Sequence, residues 1–203
     1  NSTILIEETA QGIPGLDKTV EIITSNSSFA NKLFFIKSRI IIGKVVDELD
    51  LTISAEPVHL PFIGATFARR HNGIEVAEPL FGFETYAWGG EDINISYLNL
   101  SERYLDKNLK LVALEDQKFS LLYNEQELLK GYVGKPVYSS DGDLEIMISS
   151  LIARPGTQFK VHKSNRLSRI LQLQSSLSVS EKGRKTNIIE IALNGDDKNS
   201  ITN

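Results

Sequence analysis

The stretch from residue 109 to residue 123 reads LKLVALEDQKFSLLY. It is rich in Leu, Val, Phe and Tyr, and a short polar segment interrupts it near its centre. Such a run predicts two strands, at 109–115 and at 118–123. Apolar and polar residues alternate with a period of two from about Asp92 to Lys163, so this part of the chain predicts a β-rich unit.

Four further strands are predicted around this stretch. Turn-forming residues separate the strands, notably Asn124, Gly134 and the pairs Asp141-Gly142 and Pro155-Gly156. Short strands at such regular spacing are typical of a small sandwich or jelly-roll. The four further strands are Ile93–Leu98, Glu127–Val133, Leu144–Leu151 and Gln158–His162.

A long helix is predicted before this region, from about Phe29 to Leu49, because apolar residues recur there at helical spacing. The charged side of this helix also carries Leu33, Ile36 and Ile40. A helix that is apolar on more than one face is usually buried on more than one face. These three residues are therefore covered either by a loop or second sub-domain, or by a neighbouring protomer.

The other predicted elements mix strands and helices. They are a strand at Thr3–Glu7, a short helix after Pro61 within residues 60–70, a helix at Ser164–Ser176, a hairpin formed by Val179 and its neighbours with Asn187–Leu193, and the start of a helix after Asp196. Their order predicts an α+β fold class. In this prediction an α/β base domain (1–56 and 164–203) is interrupted, after a connecting segment (57–91), by an all-β, sandwich-like or jelly-roll-like insertion (92–163).

Composition narrows the class of protein. The net charge of −4 and the pI near 5.5 argue against nucleic acid as a partner, because phosphate binding needs a cationic surface. The absence of cysteine excludes disulfides, thiolate metal sites and thiol catalysis. No apolar run in the sequence approaches the ~20 residues needed to span a bilayer.

The sequence shows no catalytic constellation. The three histidines, His59, His71 and His162, fall in different predicted elements, and none has the spacing of a metal-ligand pair. The Gly-Lys pair within residues 131–136 lacks the spacing of a phosphate loop. Glu91, adjacent to another carboxylate, is interpreted as solvated. We therefore expect no catalytic, cofactor-binding or metal-binding residues, and no enzyme activity in this segment.

Aromatic and cationic residues offer a different kind of site. The segment Tyr86-Ala87-Trp88-Gly89-Gly90-Glu91 places the only tryptophan in a glycine-flanked turn. Trp88, with Tyr86, is a candidate to stack on the apolar face of a sugar; alternatively, Trp88 fills the joint between two sub-domains. Arg69 and Arg70 offer cations to an acidic glycan or a lipid headgroup, or are simply solvated.

Several segments, taken in order, resemble a known family. They are STILIEE (2–8), KSRIIIGKVVDELDL (37–51), PFIG (61–64) with ARR (68–70), YAWGGE (86–91), ARPGT (153–157) and LSVSEKG (177–183). Together they are similar to the Wzc-like branch of the bacterial chain-length-determinant (Wzz) family. Members of this branch are polysaccharide co-polymerases that are also membrane-anchored tyrosine autokinases.

The resemblance implies a membrane-proximal domain on the periplasmic side of the inner membrane, with membrane helices and a cytoplasmic tyrosine-kinase domain elsewhere in the full-length protein. It implies a homo-oligomer without cofactors, partnered by a polysaccharide polymerase and an outer-membrane export channel. The expected function is regulation of the polymerisation, chain length and export of capsular polysaccharide or exopolysaccharide. The alternative is a glycan-binding module that recognises the nascent polymer.

The expected oligomer interface lies on the first helix. Its candidate residues are Leu33, Ile36, Arg39, Ile40 and Lys44. The candidate glycan contacts are Trp88, Tyr86, Arg69 and Arg70.

Overall fold

The computed structural model describes residues 34–71, 73, 75–80, 82–181 and 189–194. The chain divides into two compact units, with boundaries between Leu49 and Asp50 and between Asn165 and Arg166. The helices are α1 (Arg39–Glu48), α2 (Gly64–Arg70) and α3 (Arg166–Ser176). The strands are β1 (Ile53–Pro57), β2 (Asp92–Leu100), β3 (Asn108–Ala113), β4 (Lys118–Tyr123), β5 (Gln126–Tyr132), β6 (Val137–Tyr138), β7 (Leu144–Ile152), β8 (Gln158–Lys163), β9 (Leu177–Glu181) and β10 (Ile189–Leu193).

The larger unit, residues 50–165, is built from two antiparallel sheets. One has five strands in the order β1-β8-β3-β4-β5, and the other has three in the order β2-β7-β6. Both sheets contribute to one core, since the side chains that alternate along β3, β4 and β8 meet those of β2 and β7. The core residues are Leu98, Tyr104, Leu109, Leu111, Ala113, Phe119, Leu121, Leu129, Leu144, Ile146, Ile148, Leu151, Phe159 and Val161.

The period-two pattern located the strands of this unit well. All six predicted strands between residues 92 and 163 are confirmed, with ends that differ by no more than two residues. Two strands were missed. β6 has only two residues, and β1 is an edge strand that ends in Pro57, which cannot donate a backbone hydrogen bond.

The two sheets of the larger unit contact each other where β6 packs on β5. A Cβ atom added at Gly131 of β5 would lie 2.2 Å from Cγ2 of Val137 and 3.0 Å from its Cγ1. Only a residue without a side chain therefore leaves room for Val137.

The smaller unit contains α1, α3 and the antiparallel hairpin of β9 and β10. A Cβ atom added at Gly43 of α1 would lie 3.4 Å from Cδ1 of Ile170 and 3.1 Å from Nη2 of Arg166, so the two helices pack closely at this glycine. Arg166 donates through Nε and Nη2 to Oδ1 and Oδ2 of Asp47, at 2.7 and 2.6 Å. Ile42 and Val46 of α1 are buried, as is Ile170.

The predicted α+β fold class is wrong. Of the described residues, 41% are in strands and 21% in helices, and every sheet pairing is antiparallel. In the described part of the smaller unit, α1 packs against α3, and the sheet is the two-stranded hairpin of β9 and β10. The sandwich-like character expected for the all-β part does agree with the two sheets of the larger unit.

The predicted long helix is also interrupted. A helical turn at residues 34–36 is followed by a break, and α1 begins at Arg39. Ser38 is extended (φ −68°, ψ 147°) and its hydroxyl accepts a hydrogen bond from the backbone N–H of Ile41, so it acts as an N-cap. Apolar periodicity alone did not reveal this cap.

The helices after Pro61 and at 164–176 are confirmed as α2 and α3, and the C-terminal hairpin as β9 and β10. The strand at Thr3–Glu7, the residues before Phe34, the hairpin turn and the helix after Asp196 lie outside the described residues. No helix in the described part of the chain is both long and apolar enough to cross a membrane.

The close approach at Gly131 predicts a steric cost for the smallest possible side chain. Gly131→Ala should destabilise the protein by about 1–3 kcal/mol, because the new methyl group displaces Val137. Urea unfolding, followed by Trp88 fluorescence, measures this cost. The double variant Gly131→Ala with Val137→Ala should be destabilised by less than the sum of the two single variants, because the smaller residue at 137 leaves room for the new methyl group. Fully additive costs would contradict the predicted clash.

The Asp47–Arg166 pair predicts pH-dependent packing of α1 on α3. The side-chain hydrogen bonds from Arg166 lower the pKa of Asp47 below its usual value. The stabilisation is therefore present above the unfolded-state pKa, about 3.9, and is lost as the pH falls through the lower folded-state pKa. Amide hydrogen exchange in α1 should be faster in Asp47→Asn than in the wild type at neutral pH.

The two proteins should exchange alike at a pH below the folded-state pKa of Asp47. Glu48→Gln, a change to the exposed neighbouring carboxyl, is the matched control and should leave α1 exchange unchanged at both pH values. An Asp47→Asn effect that persists at low pH would contradict the role of this carboxylate.

Candidate functional site: an ion pair beneath an exposed apolar turn

Two segments far apart in the sequence meet at one end of the five-stranded sheet. Nη2 of Arg154, in the ARPGT segment, lies 3.4 Å from Oε1 of Glu91 and donates to the carbonyl oxygen of Tyr86 at 3.2 Å. The side chain of Glu91 is 1% exposed and that of Arg154 is 19% exposed. The interpretation of Glu91 as a solvated carboxylate is therefore wrong.

The Glu91 carboxylate also organises the turn that contains Trp88. Its Oε1 accepts the backbone N–H of Trp88 at 2.9 Å, and its Oε2 accepts that of Gly89 at 2.7 Å. Gly89 has φ +135°, and a Cβ atom there would lie 2.5 Å from Cβ of His71, so only glycine fits. A buried carboxylate is tolerated here because two amides and a guanidinium satisfy it.

Trp88 is buried inside this arrangement and is only 2% exposed. Its Nε1 donates to the carbonyl oxygen of Phe83 at 3.0 Å, and its ring packs edge-on against Phe67 with centroids 6.2 Å apart. No ring face is available to a sugar. The buried ring is therefore not placed to stack on a sugar, which was one of the two roles expected of Trp88 from the sequence.

Backbone hydrogen bonds fix the connecting segment (57–91) to β8. Gln158 donates to the carbonyl oxygen of Thr85 at 3.0 Å and accepts from Val58 at 2.9 Å, while Ala87 donates to Val58 at 2.8 Å. His59 Nδ1 lies 3.0 Å from the carbonyl oxygen of Ala87. The connecting segment is thus joined to the sandwich by main-chain bonds as well as by the buried ion pair.

The outer surface of this segment exposes large apolar side chains together with charges of both signs, Arg69 and Arg70 on α2 and Glu75, Glu78 and Glu84 after it. Phe62, Ile63, Phe67, Leu80 and Phe83 are 103%, 41%, 44%, 37% and 45% exposed. Arg69 and Arg70 are exposed in the last turn of α2, and Tyr86 is half-buried. The structure thus places Arg69 and Arg70 at the surface, and their contact with a glycan stays a prediction.

The described candidate interface residues on the first helix, Ile36, Arg39, Ile40 and Lys44, do not share one helical face, and Arg39 is exposed at the start of α1. Leu33 lies outside the described residues, and the half-buried Ile36 precedes the break at Ser38. Ile40 is 66% exposed and lies one turn before the half-buried Lys44 on the side of α1 that faces away from Ile42 and Val46. Ile40 and Lys44 are therefore the pair that the structure brings together.

The described residues offer little to support chemistry. A shallow depression over β1, β8 and β3 is lined by mostly exposed polar residues, namely Ser54, Glu56, Asn108, Lys160 and His162. No group of three or more potential metal ligands occurs among the residues that the structure describes.

One hydrogen-bonded carboxylate lies on the three-stranded sheet. Glu145 accepts from Asn99 Nδ2 at 3.0 Å, and this bond, followed by the neighbouring hydroxyl groups of Tyr97 and Tyr138, lowers the pKa of Glu145. The pKa of Tyr97 is raised by desolvation and by Glu145, and that of Tyr138 by the charge of Glu145. Glu145 is a satisfied anion rather than a group poised to transfer protons.

Sequence reasoning missed the Glu91–Arg154 pair. It noted both segments, but as separate motifs, and nothing in either indicates that the other is its partner. The fold and this site define an antiparallel β-sandwich module with a connecting segment that is hydrogen-bonded to the sandwich and exposes large apolar side chains.

Comparisons with known proteins show the family to which the chain belongs. The family model described as the N-terminal domain of tyrosine-protein kinase Wzc matches residues 53–164, and the chain belongs to this family. A putative tyrosine-protein kinase EpsB from Ralstonia nicotianae is 34% identical over 79% of the chain, and a tyrosine-protein kinase wzc from Salmonella typhi is 29% identical over 87%. A tyrosine-protein kinase etk from Escherichia coli K12 is 29% identical over 98% of the chain.

The chain spans only part of these relatives. The aligned region covers 22%, 23% and 25% of the EpsB, wzc and etk proteins, respectively. Both segments joined by the Glu91–Arg154 pair lie within the matched residues 53–164.

The buried pair predicts that removing the carboxylate of Glu91 destabilises the protein far more than the same change at an exposed glutamate. Glu91→Ala leaves two backbone amides without their acceptor and Arg154 without its charged partner, so it should destabilise the protein by about 3–5 kcal/mol. Glu102→Ala, at an exposed glutamate of the same unit, should cost less than ~0.5 kcal/mol. Urea unfolding measures both, and Trp88 fluorescence reports the turn directly. Equal costs would show that the carboxylate does not hold this turn.

Proposed function

We propose that the chain is the periplasmic, self-associating domain of an inner-membrane polysaccharide co-polymerase whose full-length form is a tyrosine kinase. The kinase domain and the membrane helices would lie outside this segment, with the kinase domain in the cytoplasm. The domain would regulate polymerisation, chain length and export of capsular polysaccharide or exopolysaccharide. Membership of the Wzc N-terminal family supports this proposal, as do relatives that are named tyrosine kinases and are far longer than this chain.

The observation that carries the assembly role is the exposed face of α1. Ile42 and Val46 are buried, yet Ile40 is 66% exposed and shares the opposite side of α1 with Lys44. An isolated exposed isoleucine is common, but here it stands on a helix whose sequence is among the segments that resemble the family. A neighbouring copy would cover Ile40 and place an acidic side chain opposite Lys44.

The position of α1 supports the same proposal. The two hydrogen bonds from Arg166 to the Asp47 carboxylate and the close packing at Gly43 fix α1 on α3. A helix held in this way presents Ile40 in a constant direction, which a repeated contact around a closed ring requires. The polysaccharide polymerase and the outer-membrane export channel are proposed as further partners on the family resemblance alone.

The assembly role predicts a specific loss when Ile40 becomes charged. In the full-length protein, Ile40→Asp should weaken self-association by about 10–100-fold, since burying such a side chain contributes about 1.5–3 kcal/mol. Mass measurement of the detergent-solubilised protein should show smaller assemblies, and the secreted polymer should change in length.

Ile152→Asp is the matched control, because Ile152 is also an exposed isoleucine, 49% exposed, but lies on β7. It should leave the assembly and the polymer length unchanged. Unchanged oligomer mass and normal polymer in the Ile40→Asp protein would overturn the assembly role.

A further inference from the structure

The short helix α2 exposes its large apolar side chains and turns its small residues toward the protein, which is the reverse of an ordinary surface helix. Its small residues are turned toward the protein: Gly64 is buried, and Ala65 and Ala68 are half-buried. Ile63 and Phe67, with Arg70 one turn further on, follow the spacing i, i+4, i+7 and are exposed. Surface helices normally bury their large apolar residues. Among the residues that the structure describes, none covers Ile63 and Phe67 fully.

Phe62 stands at the tip of the turn that leads into α2. Its side chain is 103% exposed, and its backbone has φ +68°. A bulky residue in this left-handed region is strained, and Asn or Gly would be accommodated better. Because the side chain touches nothing that compensates for the strain, the outlier indicates a function outside the folding of the chain.

The turn itself is well defined. Ile63 donates to the carbonyl oxygen of Pro61, and Gly64 to that of Leu60, both at 2.9 Å. A Cβ atom at Gly64 would lie 3.1 Å from Cβ of Leu60 and 3.2 Å from Cβ of His59. The tip is thus tightly folded, and Phe67 at its base rests against the buried Trp88.

The charged side chains of α2 and of the turn before it, residues 60–70, are Arg69 and Arg70 alone. The exposed carboxylates of the connecting segment, Glu75, Glu78 and Glu84, follow later in the chain. Both arginines are exposed in the last turn of α2. The apolar tip therefore carries a cationic rim, which suits an anionic surface.

We propose that α2 and the turn before it, residues 60–70, dock onto an anionic phospholipid bilayer. Phe62 and Ile63 insert at the boundary between headgroups and acyl chains, and Arg69 and Arg70 pair with lipid phosphates. A protruding tip of a few side chains is far smaller than the ~800 Å² per partner of a stable protein interface. It is sufficient for interfacial binding, in which a few apolar groups and cations act together.

This role goes beyond self-association and does not depend on α1. Weak binding would suffice to orient a domain that is already held near a membrane, because the effective concentration of the surface is then high.

The test is co-sedimentation of the 203-residue chain with vesicles. Vesicles of phosphatidylglycerol and phosphatidylethanolamine should bind the wild type, and vesicles of phosphatidylcholine alone should not. Phe62→Asn should reduce binding by roughly tenfold or more, through the lost apolar insertion. The same variant should keep or raise the thermal stability, since asparagine tolerates φ +68°.

A pair of charge-matched variants tests the cationic rim. Arg69→Gln with Arg70→Gln should weaken binding by about 25-fold, since each arginine near an anionic surface contributes about fivefold. Lys130→Gln with Lys160→Gln makes the same change in net charge at two exposed lysines elsewhere and should bind like the wild type.

Three outcomes would overturn the proposal: equal binding to both kinds of vesicle, unchanged binding of Phe62→Asn, or equal losses in the two charge-matched variants. Capture of a protein instead of lipid by a photocrosslinker at position 62 of the full-length protein would overturn it in favour of a protein partner. The oligomer mass of Ile40→Asp is measured separately, so a failure here leaves the assembly role untouched.

Discussion

The Glu91 carboxylate, buried with Arg154, is the interaction on which the distinctive surface of this domain depends. It accepts hydrogen bonds from two backbone amides of the Trp88 turn and contacts the guanidinium of Arg154, in the loop that follows β7. A buried carboxylate is costly unless every bond is made, so this arrangement favours a single conformation of the turn. The connecting segment would otherwise be a long irregular loop, and such loops are usually mobile.

The sandwich supplies the frame for that interaction. Main-chain bonds from Gln158 on β8 hold Val58 and Thr85, and Trp88 fills the space beneath Phe67. The apolar side chains left outside, above all Phe62, are therefore displayed by a rigid base rather than by a flexible loop. In the smaller unit, the close packing at Gly43 and the paired hydrogen bonds of Asp47 with Arg166 hold α1 on α3, so the exposed face of α1 is also presented by a rigid base. Display of apolar surface, rather than a reactive cleft, is common to both units.

Local pattern located the strands but not the class of the fold. Alternation with a period of two depends only on which face of a strand is buried, so it gave strands 92–163 almost residue by residue. It could not give β1, where Pro57 and an edge position weaken the pattern, nor the break at Ser38, which depends on one hydroxyl capping one amide. The α+β prediction failed because it counted elements in order, whereas the described chain is mostly antiparallel sheet.

By itself, the sequence determined the β-rich character of the larger unit and, through its ordered motifs, the family to which the chain belongs. Only the tertiary structure decided that Glu91 is buried against Arg154, that Trp88 is inaccessible, and that α2 turns its small residues inward. Periodicity reports burial averaged over an element, and it carries no information about which distant residue covers a given side chain. Glu91 and Arg154 are 63 positions apart in the sequence, so only the folded chain shows that they are partners.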